Sequence, residues 1–299
     1  MSEPVEHNRL TVCASHLITL PPEIMPGGGT GVRAAIRTAQ EAVAQFSPDL
    51  VVMFGTDHRR AFREVVPTFS VVLSAEARGD VHGPTGRYDV PEQLARELAA
   101  DLVAHDFDIA VTHHAALDHA FGHTVVDLLG AVDAVPLVPI FVNCASPPLP
   151  SFARAAALGR QAGSFLAGRG ERILFVGSGG LAHDLPGFRI PDDGKQLTED
   201  ERQQWIRTVN AEARAAGTIR TLTAEWDLAF LGGLSGTSTD WLPEAGRDIV
   251  ERAGNGAQEA LTWTAAWAAG AAPLTTLAHE FTTSGRAVVG SAWAFPELP

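Results

Sequence analysis

The sequence has few cysteines and few basic residues, and each of these features excludes some kinds of site or partner. Among 299 residues there are only two cysteines, Cys13 and Cys144, too far apart for a metal motif and too few for a disulfide framework. That composition favours a reducing cytoplasm. Lysine and arginine number 22 against 35 acidic residues, a formal net charge of −13. Nucleic acids and anionic membranes require basic surface, so neither is predicted as a partner.

Long apolar stretches are also missing. No run of apolar residues is long enough to cross a membrane, and the first residues lack the basic start and apolar core of a secretory signal. Hydrophobic residues nevertheless make up 45% of the chain, which is ample for a buried core. Because no internal repeat or low-complexity linker interrupts the chain, we predict a single domain over residues 1–299.

Short apolar runs alternate with segments of helical periodicity. Strands are predicted at 50–55, 69–73, 109–112, 135–142 and 173–176, and helices at 32–46, 92–104, 124–132, 151–166 and 242–253, with a closing hairpin near the end. This alternation predicts an α/β fold with helices on both faces of a central sheet. Residues 76–89 are predicted to form a loop. The two prolines within 135–142 favour an edge strand or an irregular ladder.

Four histidines follow predicted strands. His183 comes after the run 173–176 and a glycine-rich turn, whereas His16, His58 and His119 follow three other apolar runs. Ligands bind at strand ends in open α/β sheets, so four such histidines predict a shared cleft with metal-binding and acid–base roles. The glycine-rich turn is a poor dinucleotide motif, since it lacks a third glycine and no helix opens after it.

Two imidazoles and one carboxylate on one face of a metal are typical of non-haem Fe(II) oxygenases. His16 and His58 are candidates for the imidazoles, and Glu259 is a candidate for the carboxylate. Sequence spacing alone does not select Glu259 from the other acidic residues.

Several motifs follow one another along nearly the whole chain: Ser15-His16, Asp57-His58, Leu-Asp-His-Ala-Phe at 117–121, Leu-Phe-Val-Gly-Ser-Gly-Gly-Leu-Ala-His at 174–183, Trp226-Asp227, and Ala-Gly-Asn-Gly at 253–256 with Glu259. In these motifs and in their order, the chain resembles the class III extradiol catechol dioxygenases. This is the superfamily of the protocatechuate 4,5-dioxygenase β-subunit.

The resemblance implies an α/β sandwich with a central mixed sheet, frequent homo-oligomers and Fe(II)-dependent meta cleavage of a substituted catechol with O2. The candidate substrate is 3-(2,3-dihydroxyphenyl)propionate or a related catechol. His16, His58 and Glu259 would be the iron ligands. His119 would donate a proton and His183 would accept one.

The chain departs from the superfamily pattern beside the expected site. Arg59 and Arg60 follow His58 where related enzymes tend to carry aromatic and amide residues, and Gln258 stands where histidine is common. Either both arginines face solvent, or one faces the cleft and selects catechols with an acidic side chain.

The sequence is also consistent with two other functional classes. One is a non-catalytic ligand-binding or signalling member of the same fold superfamily, and the other is a zinc hydrolase that uses the same ligands. Of the other histidines, His123 is predicted on a helix surface, with a supporting role next to the site as the alternative, and His279 is predicted at the surface or in a loop.

Overall fold

The computed structural model describes residues 8–16, 30–189, 197–282 and 289–295. The strands are β1 Arg9–Ala14, β2 Leu50–Gly55, β3 Phe69–Val72, β4 Ala75–Arg78, β5 Thr85–Arg87, β6 Ala110–Thr112, β7 Ala115–Leu117, β8 Leu137–Val142, β9 Ile173–Ser178, β10 Thr275–Thr282 and β11 Val289–Phe295. The α-helices are α1 Thr30–Phe46, α2 Glu92–Ala104, α3 His119–Leu129, α4 Phe152–Phe165, α5 Pro186–Arg189, α6 Glu199–Ala215, α7 Glu225–Leu234, α8 Leu242–Gly246, α9 Ile249–Ala253 and α10 Ala260–Gly270. Short 3-10 helices span Asp80–His82 and Asn255–Glu259.

The main sheet is mixed, as predicted. Its eight strands lie in the order β10-β11-β1-β9-β2-β8-β3-β6. The four central strands β1, β9, β2 and β8 are parallel, whereas β11 and β3 run antiparallel to their neighbours β1 and β8. A smaller sheet of order β5-β4-β7 lies beside it. The parallel centre brings the carboxyl ends of β1, β9 and β2 to one edge.

Helices cover both faces of the main sheet. In β2, Val52 and Phe54 belong to the core beneath α2, α4 and α10, whereas Val51 and Met53 belong to the core beneath α1 and α3. Successive residues of a strand point to opposite faces, so a strand covered on both sides is apolar throughout. The predicted α/β sandwich is therefore confirmed.

Helix α10 is buried on nearly every side, and it supports the residue that precedes it, Glu259. It packs closely on α4 because Gly159 and Gly163 have no side chain. A Cβ at Gly159 would lie 1.9 Å from the carbonyl oxygen of Ala265. Trp263 is fully buried and donates from Nε1 to the carbonyl oxygen of Gly179 at 2.9 Å. This contact fixes α10 against the turn that follows β9.

The loop predicted at 76–89 and the edge position considered for the strand at 135–142 were wrong. The predicted loop at 76–89 contains β4, β5 and a 3-10 helix. The proline-bearing strand β8 is internal and lies between β2 and β3. The registered pairing with β3 covers only Ile140–Val142, so the missing N–H of Pro139 falls just outside that ladder.

Helix boundaries also differed in two places. α3 begins at His119, five residues before the predicted start, because Asp118 caps it by accepting from the backbone N–H of Ala120 at 2.9 Å. The predicted helix at 242–253 is divided into α8 and α9, with Asp248 at φ 48° between them. The turn of the terminal hairpin at 283–288 lies outside the described residues. Within the described ranges, no helix is long and apolar enough to cross a membrane.

Candidate active site

The carboxyl edge of the parallel strands gathers the five predicted site residues. His16, His58 and His183 follow β1, β2 and β9, which are neighbours in the sheet. His119 begins α3, and Glu259 ends the 3-10 helix that precedes α10. Each of the five is at most 8% exposed. The cleft predicted from the strand-end histidines is therefore present.

Glu259 lies at the centre of this cluster. Its Oε1 atom lies 3.1 Å from Nε2 of His58 and 3.7 Å from Nε2 of His183, and its Oε2 atom lies 3.7 Å from Nε2 of His16. The backbone N–H of Gly180 donates to Oε2. Burial alone would raise the pKa of Glu259, but His16 and His58 outweigh it and hold the pKa below its usual range. The carboxylate is therefore ionised.

His16 is held as a neutral ring. Its Nδ1 atom lies 3.3 Å from Oγ of Ser178, and that hydroxyl donates to the carbonyl oxygen of Ala120. Because the Ser178 proton is engaged there, Nδ1 of His16 is the donor and Nε2 keeps a lone pair towards Glu259. Burial lowers the pKa of His16 to about 3, although Glu259 opposes the shift.

Two carboxylates flank His58. Its Nδ1 atom donates to Oδ2 of Asp118 at 2.8 Å, and its backbone N–H donates to the same oxygen at 2.8 Å. Burial favours the neutral ring, but Asp118 and Glu259 outweigh it and raise the pKa of His58 to about 10. A cation bound at Nε2 would take the place of the second proton. Asp118 therefore orients His58 and fixes its tautomer.

The cluster of His16, His58 and Glu259, with His119 beside it, fits a divalent metal ion. Ring nitrogens of His16, His58 and His119 lie within 4.8 Å of one another, and Glu259 lies against two of these rings. Neutral imidazoles and an ionised carboxylate suit first-row divalent ions. The bond from His58 to Asp118 is the outer contact that a ligating histidine usually makes.

His119 is tied to a carboxylate that sequence reasoning missed. Its ring stacks on that of His58, with centroids 4.4 Å apart, and its Nδ1 atom lies 2.9 Å from Oδ2 of Asp80. Burial would raise the pKa of Asp80, but His119 and Arg60 outweigh it and lower the pKa. Asp80 lies in the segment predicted as a loop, so no sequence signal pointed to it.

His183 faces the cluster with its Nε2 atom. Its Nδ1 atom donates to the carbonyl oxygen of Leu181 at 2.8 Å, so Nε2 is the nitrogen that faces Glu259. The ring fits only because Gly256 has no side chain, since a Cβ there would lie 2.1 Å from Nε2. A distant carboxylate, Asp227, fixes this segment by accepting from the backbone N–H of Ala182 at 2.8 Å.

Two histidines assigned to the surface contribute to the structure around the site. His123 is 4% exposed, and its Nδ1 atom lies 3.2 Å from the carbonyl oxygen of His16. Nε2 of His279 lies 2.9 Å from the carboxylate of Asp227. The surface prediction for His123 was wrong, because its sequence position does not reveal which distant segment folds over it, and His279 is half-buried in β10.

The arginines after His58 do not face solvent. Arg59 is 7% exposed, and it donates to the carbonyl oxygen of Ala145 at 3.0 Å and to Oγ of Ser146 at 3.3 Å. Arg60 forms an ion pair with Asp80. Both guanidinium groups are therefore engaged within the protein.

A cavity of about 340 Å³ opens beside His58 and Glu259. Apolar side chains form much of its wall, and three polar side chains complete it besides His58 and Glu259. The lining residues are His58, Cys144, Ala145, Pro147, Leu149, Leu185, Arg220, Val250, Asn255, Gly256, Gln258 and Glu259. An apolar cavity that ends on a candidate metal site has the form of a small-molecule site.

Comparison with known proteins gives a consistent result. Residues 11–291 match the family described as the catalytic LigB subunit of aromatic ring-opening dioxygenase. A protein of Mycolicibacterium vanbaalenii is 37% identical over 257 residues, which cover 81% of each chain. A protein of Pseudomonas putida is 33% identical over 255 residues, which cover 80% of this chain and 81% of the relative. Both relatives are named 2,3-dihydroxyphenylpropionate/2,3-dihydroxicinnamic acid 1,2-dioxygenase, as the motifs led us to expect.

A solved structure supports the fold alone. The crystal structure of an uncharacterized protein from Escherichia coli K12 matches with a TM-score of 0.55 and 14% sequence identity. The match covers 96% of this chain and 99% of the other.

Proposed function

The chain belongs to the family of the catalytic LigB subunit of aromatic ring-opening dioxygenase, and from that premise we propose that it is an Fe(II)-dependent extradiol dioxygenase. It would open the ring of a substituted catechol with O2. The observation that carries the proposal is the contact of Glu259 with both His16 and His58 in a buried cluster beside a cavity. Two imidazoles and one carboxylate are the ligand set of non-haem Fe(II) oxygenases.

His16, His58 and Glu259 would hold the iron, with Asp118 orienting His58. Bound Fe(II) would supply the Lewis acid that lowers the pKa of a catechol hydroxyl and the redox centre at which O2 reacts. The apolar cavity wall would exclude water from the ring.

His183 and His119 would transfer protons. Because Nδ1 of His183 donates to Leu181, Nε2 is the nitrogen at which this ring would accept a catechol proton. Burial lowers the pKa of His119, against the opposing effect of Asp118, so a proton on its Nε2 would be released readily. His119 would therefore return a proton to oxygen as the ring opens.

The names of the relatives point to the substrate class. We propose 3-(2,3-dihydroxyphenyl)propionate or a related catechol, whose single ring and short side chain suit a cavity of about 340 Å³. We also propose a homo-oligomer that acts in the cytoplasm. Sedimentation of the purified protein would give its oligomeric state.

The test begins with protein loaded with Fe(II) without oxygen and mixed with this substrate. Admitting O2 should consume one O2 per catechol and form a yellow, conjugated ring-fission product. Catechol binding without colour or O2 uptake would instead identify a non-catalytic ligand-binding protein. Activity that needs zinc and no O2 would identify a hydrolase.

A further inference from the structure

Arg220 stands apart from the other side chains that line the cavity. Among the described residues of that lining, it is the one charged group besides the cluster of His58 and Glu259. The same wall includes the apolar side chains of Leu149, Leu185 and Val250. A cation in such a wall has a lower local dielectric around it than one in open water, which strengthens its attraction for an anion.

The backbone of Arg220 is held by a hydrogen bond, whereas its guanidinium can accept a further partner. Its backbone N–H donates to Oδ2 of Asp184 at 3.2 Å, next in sequence to His183. Arg220 is half-buried, and within the described part of the chain its backbone N–H, and not its guanidinium, is the group that forms a hydrogen bond. Arg59 and Arg60, by contrast, are held by Ala145 and Asp80.

We propose that Arg220 binds the carboxylate of the substrate's side chain and so selects catechols with an anionic side chain. The inference rests on the proposed function, because it places the reacting ring at the His58–Glu259 end of the same cavity. The planar guanidinium can offer two parallel N–H donors to one carboxylate. Arg220 is thus a specificity-determining residue, and Arg59 and Arg60 are not.

The first test compares two substrates of similar shape, 3-(2,3-dihydroxyphenyl)propionate and 3-propylcatechol. Arg220→Met should lower kcat/KM for the propionate by about 10- to 100-fold, the effect of losing a charged hydrogen bond, and change that for 3-propylcatechol by less than about threefold. Arg220→Lys should give an intermediate loss, since it keeps the charge without the fork. Equal losses on both substrates, or no loss on either, would overturn the proposal.

Arg247→Met is the matched control, since Arg247 is exposed and its ion pair with Glu244 lies on the surface. It should leave both kcat/KM values unchanged. The hydrogen bond from Arg220 to Asp184 uses the backbone N–H of Arg220 and not its side chain, so the Met variant keeps this bond.

A second measurement separates this proposal from the reaction itself. The probe is 3-phenylpropionate, which has the carboxylate but no catechol oxygens. Calorimetric titration should give a Kd at least about tenfold weaker for Arg220→Met than for the unaltered protein. Equal affinities, or no binding to either protein, would contradict the role of Arg220 even if catechols are cleaved. Failure of the unaltered enzyme to cleave any catechol, with this difference in affinity intact, would overturn the proposed function alone.

Discussion

Nδ1 of His119 lies 2.9 Å from Oδ2 of Asp80, and the same carboxylate pairs with Arg60. A carboxylate can only accept, so Nδ1 of His119 carries a proton and Nε2 is the nitrogen left to exchange one. Asp80 is therefore a positioning residue for the predicted proton donor. Arg60 holds Asp80 in place.

Replacing Asp80 with asparagine should slow turnover without releasing the metal. Asparagine keeps the shape but loses the charge, and its NH2 group can present a donor to Nδ1, so the tautomer of His119 is no longer fixed. We expect kcat to fall by about 10- to 100-fold and its pH profile to shift, with iron content unchanged. Asp133→Asn, which makes the same change at an exposed position, is the control. An unchanged pH profile would count against this role.

Loss of any one of the three proposed ligands should abolish iron binding and activity together. Replacing His16, His58 or Glu259 with alanine should remove bound iron and activity in parallel, because each deletes one donor of the cluster. Metal analysis after anaerobic loading measures this directly, with His105→Ala at an exposed helix end as control. Full iron content in all three variants would refute the ligand assignment.

The proton-transfer pair should behave differently. His119→Gln and His183→Gln should keep iron and bind catechol, while kcat falls by roughly two or more orders of magnitude, as expected when a positioned acid or base is lost. Stopped-flow turnover together with iron analysis separates the two effects. Loss of iron from either variant would make that histidine a ligand instead.

The sequence predicted four of the site residues, His16, His58, His119 and His183, from their positions after predicted strands. His16, His58 and His183 follow apolar runs, and parallel strands bring such positions to one edge of a sheet. Glu259 could be selected only through the family resemblance. It is 201 residues from its partner His58, and nothing in its own neighbourhood distinguishes it from other glutamates.

The residues around the site were harder to predict. Asp80, Asp118 and Arg220 act through contacts with distant segments, and such contacts depend on how the chain folds back. Segment 76–89 is polar and rich in turn residues, so local propensity favoured a loop, whereas pairing of β4 with β5 and β7 made it a small sheet. Local sequence predicted the helices and most strands well, and it predicted the contacts between segments distant in sequence poorly.

A last prediction concerns Asp127 in α3, where stability should depend on pH. Its carboxyl is half-buried, and burial raises its pKa to about 6, with His123 opposing the shift. Below pH 3.8, the pKa of the carboxyl in the unfolded chain, the group is neutral in both the folded and the unfolded state and does not lower the free energy of unfolding. Between about pH 4 and pH 6 the unfolded chain loses the proton first, so stability falls as pH rises, and the penalty persists above pH 6.

Asp127→Asn should therefore stabilise the protein above pH 6 and have little effect near pH 4. The full shift in pKa would correspond to about 3 kcal/mol, but solvent screening of a half-buried group reduces the expected gain to about 1 kcal/mol. Urea unfolding at pH 4 and pH 8 measures it, with Asp108→Asn at an exposed position as control. The same gain at both pH values would show that burial of the charge is not the cause, because the neutral carboxyl carries no such penalty.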